Sequence, residues 1–166
     1  GEVFAVPSAC MLVRADLFRA LDGFDETMRY YGEDVDLCWR ASISGARTVV
    51  ATAARVRHRG ELELRRPDLN HDVLRARHRI RSVLTLTSGR SLPLRLVELF
   101  VVTLLEIVRS VVTGRFSAAW ASTRAFISSF LRWPTYLARR GAIAKLRRGA
   151  PPDADIEALM APGSHQ

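Results

Sequence analysis

Apolar positions fall in two regimes along this chain. Over the first sixty residues they come in short runs divided by turn residues; beyond about residue 70 they recur at helical spacing over long stretches. Residues 3–6 are a short apolar stretch that stops at Pro7, suited to a loop or a strand edge. Cys10-Met11-Leu12-Val13 predicts a brief buried strand. Asp16 can cap a helix over about 17–22, carried by Leu17, Phe18 and Leu21 and ended by Gly23. Val35, Leu37, Cys38 and Trp39 belong to a second helix over 33–44, stopped near Gly45. Thr48-Val49-Val50-Ala51 is short and β-branched, which predicts a strand. Strands alternating with short helices predict an α/β layered arrangement for this part.

The second regime is helical. Residues 61–70 are polar, contain Pro67 and predict a loop. Asn70 or Asp72 can then cap a helix over about 72–87. Ser88-Gly89-Arg90-Ser91 breaks it, and the most apolar segment follows, Leu92 to Thr113. At 100° per residue its charged positions Arg95, Glu98, Glu106 and Arg109 fall within a sector of roughly 80°. Three placements stay open for it: in a bilayer interface, in the core of a soluble bundle, or across a membrane with the charged strip against other helices. After a Gly114-Arg115 turn, 116–133 forms another helical pattern, interrupted at Pro134. Its small residues Ala118, Ala119, Ala121 and Ala125 permit close approach, so the two segments predict a helical hairpin. Residues 149–166 predict a flexible tail with one short helical turn near Ile156.

Charge changes this picture in one respect. The 166 residues carry a net charge of +8, and between 55 and 81 nine arginines and three histidines face four acids. Such basicity fits anionic lipid or nucleic acid. The arginines have no interleaved aromatics and no nucleic-acid motif, so nucleic acid is not the expected partner. Trp120, Trp133 and Tyr136 have the rings favoured at a headgroup boundary, beside the basic run Arg139-Arg140, Lys145, Arg147-Arg148. An anionic membrane surface, on the cytoplasmic face and either peripheral or integral, is the expected location. Cys10 and Cys38 have no metal or disulfide spacing and are both expected to be small buried apolar residues. His71 and His78 are expected on the surface.

The chemistry concentrates in Gly32-Glu33-Asp34-Val35-Asp36-Leu37. Like charges this close repel, so each must be stabilised by a helix N-terminus, a cation or a substrate. A carboxylate held there beside a pocket suits a general base. Asp36 lies four residues before Arg40 and is expected to pair with it. The flanks sharpen the signal: Ser8-Ala9-Cys10-Met11-Leu12-Val13-Arg14, then Leu21-Asp22-Gly23-Phe24-Asp25-Glu26 before the acids, and Gly45, Thr48-Val49-Val50 and Arg57-His58-Arg59 after them.

In order and spacing, residues 4–60 resemble the second half of the catalytic domain of family 2 inverting glycosyltransferases. That family's pattern runs through "GGFDE", an aromatic, "EDxDL", a helix, a strand and a histidine. Here Asp22 stands for the first Gly. The resemblance implies a partial GT-A α/β fold followed by the helical hairpin. It implies Asp34 as catalytic base with Glu33 in support, and Gly23 and Asp25 on the acceptor side. Trp39 is either core or acceptor-pocket wall. His58 alone reads as a surface histidine between two arginines; the resemblance implies a ligand to a divalent metal (Mg or Mn). The implied partners are a nucleotide-sugar donor and a glycan or lipid-linked acceptor, in cell-envelope polysaccharide or glycolipid synthesis. The family's "DxD" motif does not appear and the chain begins at Gly1 in mid-domain. A fragment is therefore expected, inactive alone, whose remaining metal ligands come from an N-terminal half. The expected segments are 1–62 (catalytic half), 63–92 (basic linker and helix), 93–148 (amphipathic hairpin) and 149–166 (tail). The competing reading is a non-enzymatic basic helical module that binds anionic lipid or nucleic acid.

Overall fold

A computed structural model describes residues 1–28, 30–60, 62–147 and 153–160. Its elements are a 3-10 turn at Ser8–Cys10 and eight α-helices: α1 (Ala15–Ala20), α2 (Glu33–Ile43), α3 (Leu62–Arg65), α4 (His71–Leu86), α5 (Leu92–Val112), α6 (Phe116–Leu131), α7 (Trp133–Leu146) and α8 (Asp153–Ala158). The chain divides into two compact units, 1–60 with 142–166, and 61–141.

The α/β expectation is overturned. No strand forms among the described residues, and no partial GT-A sheet is present. Cys10 ends the 3-10 turn instead of opening a strand. The run at 48–51 makes a single antiparallel bridge, Val49 to Glu2, flanked by Val3 N to Thr48 O (2.9 Å) and Val50 N to Gly1 O (3.0 Å). A strand is stabilised by a ladder of neighbours, and one bridge between two short segments is no ladder. Val49 and Val50 are exposed, and Leu12 is 99% exposed. Cys10 is exposed too, against expectation, because the 3-10 turn sits at the surface; Cys38 is buried, which pushes its thiol up.

The first unit is organised by α2. Tyr31 (φ 65°) and Gly32 (φ 91°) are consecutive left-handed residues that swing the chain into the helix; Gly32 adopts this conformation without a Cβ penalty. Three acids occupy the first turn and Arg40 the last, the arrangement that the helix dipole favours. Leu37 and Ala41 meet Leu21 in a buried cluster, packed by Met11, Leu17, Phe18 and, from the end of α7, Leu146. The α1 helix starts two residues earlier than Leu17, with Arg14 at its cap position. Asp16 pairs with Arg14 rather than capping.

In the second unit α6 packs against both α4 and α5. Ala121 (1% exposed) and Ala125 (0%) form the contact stripe of α6, where only small side chains allow the backbones so close. They share a core with Val73, Ile80 and Leu84 of α4, Leu99 of α5 and Tyr136 of α7. Phe100 and Phe126 meet edge to face across α5 and α6. Asn70 caps α4 by accepting from Val73 N at 3.0 Å. The second half of α4 is buried nearly all round, and that buries His78 and Arg81, contrary to the surface expectation for His78. His71 stays half-buried, its Nε2 donating to Arg66 O at 2.9 Å.

Only Leu99 and Thr103 of α5 are buried. Leu94, Val97, Val101, Leu105, Val108 and Val112 are exposed, as are Phe116, Trp120, Ile127, Phe130 and Leu131 of α6. Among the described residues no helix is long and apolar enough to cross a membrane. Of the expected tail, 153–160 contains α8; 149–152 and 161–166 lie outside the described residues.

Candidate catalytic site at the start of the second helix

Glu33 and Asp34 open α2, both half-buried. The 3-10 turn at Ser8 brings one residue to both carboxylates. Ser8 N donates to Asp34 Oδ2 at 3.3 Å, and the Ser8 hydroxyl donates to Glu33 Oε1 at 3.4 Å. Asp34 Oδ1 accepts from Val35 N at 2.8 Å. Glu33 Oε2 is buried and has no hydrogen-bond partner among the described residues. Burial, and secondarily the Asp34 charge, holds the Glu33 carboxyl above its usual range, against the opposing pull of its own backbone N–H and the Ser8 hydroxyl. A buried oxygen without a donor leaves a strong acceptor unsatisfied, which costs the folded state.

Asp36, one turn on, is spoken for. It is 1% exposed and accepts from Arg40 Nε at 2.7 Å; the same guanidinium donates to Leu21 O and, at 2.9 Å, to Gly23 O. The expected Asp36–Arg40 pair is present, and it does more than neutralise a charge. It ties the Asp22-Gly23 loop to the helix that holds the carboxylates. In that loop Asp22 and Gly23 both have positive φ, and a Cβ at Gly23 would meet the Phe18 ring at 3.2 Å. Phe18 in turn stacks edge to face on Phe24. These rings, with Met11, Val13 and Ala15, line an open hollow of about 320 Å³ whose polar wall is Ser8. Ser8 therefore stands between hollow and carboxylates.

The remaining expected residues are placed as follows. Asp25 is buried and turned onto its own loop, where Oδ1 accepts from Thr27 N at 2.9 Å and from the Thr27 hydroxyl at 2.6 Å. Trp39 is half-buried, its ring edge to face with Phe4 at 5.6 Å. His58 is exposed, within a stretch 51–59 that is exposed throughout. Among the described residues no three His, Cys, Asp or Glu side chains are grouped to hold a metal ion, His58 included.

Two contributors escaped the reading of the chain. Ser8 lies 25 positions from Glu33, and no spacing signals that contact. The Asp36–Arg40 spacing was legible, but the reach of Arg40 to Leu21 and Gly23 was not.

Over 65 residues the chain is 48% identical to the "Pre-mycofactocin glycosyltransferase" of Mycobacterium tuberculosis, in both strains CDC 1551 / Oshkosh and ATCC 25618 / H37Rv. Over that stretch the chain is similar to a glycosyltransferase. The stretch is 39% of this chain and 14% of the mycobacterial protein, so the chain spans about a seventh of that relative. It is also 39% identical over 54 residues to the "O-antigen biosynthesis protein RfbC" of Myxococcus xanthus, covering 32% of this chain and 4% of the relative. No protein-family model matches the chain, and no solved structure matches it.

Proposed function

We propose that this chain contributes the acceptor-side carboxylates of an inverting glycosyltransferase of the family 2 kind. The observation that carries the proposal is the 48% identity over 65 residues to a protein named as a glycosyltransferase. The Glu33–Asp34 pair on Ser8, beside an open hollow, supports it as chemistry. An acceptor hydroxyl approaches the start of α2 and faces Asp34, with Glu33 in support beside it. Asp34 takes the hydroxyl proton as the oxygen attacks the anomeric carbon of a nucleotide-sugar. The new carbon–oxygen bond forms as the bond to the diphosphate breaks, and its electron pair leaves with the nucleoside diphosphate. One base on one face is sufficient for inversion.

The acceptor is a glycan or lipid-linked sugar of the cell envelope, and the site works at the cytoplasmic membrane face. Exposed apolar residues of α5 and α6, Trp120 among them, and Trp133 at the start of α7 support this placement, with Arg115, Arg124 and Arg132 along the same segment as charge complements to anionic lipid. The helices lie in the interface rather than across it.

The test is Asp34→Asn in the protein as the cell produces it, followed by sugar transfer from nucleotide-sugar donors. Removing the base lowers the transfer rate by about 10²–10⁴-fold while the far-ultraviolet spectrum stays unchanged. Full activity in the variant removes Asp34 from the mechanism.

A further inference from the structure

The charged strip of α5 does not face solvent alone. Glu106, Arg109, Ser110 and Thr113 follow one another at helical spacing and form one wall of a hollow of about 390 Å³ in the second unit. The facing wall is the matching stripe of α4, with Arg75 and Arg79. The start of α6 closes one end with Arg115, and Ser122 stands two turns further along the helix. Three helices thus turn polar stripes towards one space, on a unit whose outer helix faces are otherwise largely apolar.

Charge in that space is unbalanced. Four guanidiniums meet two carboxylates, Asp72 and Glu106. Glu106 is committed to Arg79 through two parallel bonds of 2.7 Å each, which fixes the Arg79 fork and joins α4 to α5. Asp72 reaches Arg75 only at 3.4 Å. Arg109 and Arg115 make no ion pair among the described residues, and both are exposed to solvent at the mouth. The α6 helix adds to the surplus. It begins at the hollow with no side-chain cap and no acidic residue in its first turn, so the positive end of a 16-residue helix is uncompensated there.

We infer that this hollow is a phosphate-binding site. Planar guanidiniums at its rim match tetrahedral oxygens in pairs, and the hydroxyls of Ser110 and Ser122 supply neutral donors. The ligand group is a phosphate mono- or diester, carried by a soluble molecule or by a lipid headgroup. The site lies in the second unit and is independent of the carboxylates at α2, so its failure would leave the transfer reading standing.

The experiment compares three forms of the chain: wild type, Arg109→Gln with Arg115→Gln, and Arg19→Gln with Arg90→Gln. The last pair removes the same charge from exposed positions outside the hollow. One arm titrates inorganic phosphate and pyrophosphate calorimetrically; the other sediments phosphatidylglycerol vesicles against phosphatidylcholine vesicles. Circular dichroism confirms that each form is folded. The hollow variant is expected to bind at least about tenfold more weakly, and the control pair within about twofold of wild type. A loss in the soluble arm assigns a free phosphate ligand. A loss confined to phosphatidylglycerol assigns a lipid headgroup. The inference is overturned if wild type binds in neither arm, if the hollow variant matches wild type in both, or if the control pair loses as much as the hollow variant.

Discussion

At the scale of single residues, the two acids at the head of α2 are held differently. Asp34 has both oxygens engaged, by Val35 N and Ser8 N, whereas Glu33 has one buried oxygen with no partner among the described residues. Burial raises the Glu33 carboxyl, so the fold disfavours its ionised form. The sign of the pH dependence follows. With the folded value above the unfolded one, the contribution of Glu33 to stability is complete below the ordinary carboxyl range and is lost as pH rises through the raised value. Glu33→Gln removes the penalty while keeping an oxygen for the Ser8 hydroxyl. Its melting midpoint should exceed that of wild type at neutral pH, and the gap should close as the pH is brought down to about 4. A gap of opposite sign at neutral pH would show that Glu33 is stabilised as an anion, and one that persists at low pH would show that its ionisation is not the cause. Asp36 is the contrary case: its charge is satisfied by Arg40 inside the first unit, so removing one partner strands the other in a buried place.

At the scale of elements, capping and spacing place α4 securely. The Asn70 side chain satisfies Val73 N, one of the amides that a helix start leaves open. Asn70→Ala should cost about 1 kcal/mol, read as faster hydrogen exchange in the first turns of α4 with the α2 amides unaffected. The α5 helix shows the same logic inverted. Its apolar positions have little to pack against, since one narrow line through Leu99 and Thr103 meets its neighbours. At 21 residues it is about 31 Å long, but its four charges keep it from being a span.

For the whole molecule, the exposed apolar faces of α5 and α6 are the dominant surface feature, and a lipid interface accounts for them in one step. Phe116→Ser with Trp120→Ser, both at exposed positions, should lower partitioning onto phosphatidylglycerol vesicles about tenfold or more while the fold is kept. Unchanged sedimentation would reject the interfacial placement. Together with the arginine hollow, this unit would meet a membrane through both its apolar and its cationic chemistry.

The sequence alone determined where the longer helices α2, α4, α5 and α6 lie, because helical period, caps and glycine stops are local properties; the polar run 61–70, expected to be a loop, instead holds the short helix α3 at Leu62–Arg65. The boundaries of α2, α4, α5 and α6 fall within a residue or two of those expected, and Pro134 marks the start of α7. It also determined that the acids open a helix and that Asp36 faces Arg40. Tertiary structure alone decided the rest. Runs such as 10–13 and 48–51 have strand composition, but a strand exists only where a neighbour completes its ladder, and here one bridge is all they make. Burial of His78 and Arg81, exposure of Cys10, the reach of Ser8 to two carboxylates and the convergence of arginines from three helices depend on which distant segments meet. Such meetings leave no trace in local periodicity, because they arise from packing between faces rather than from the order of residues within one.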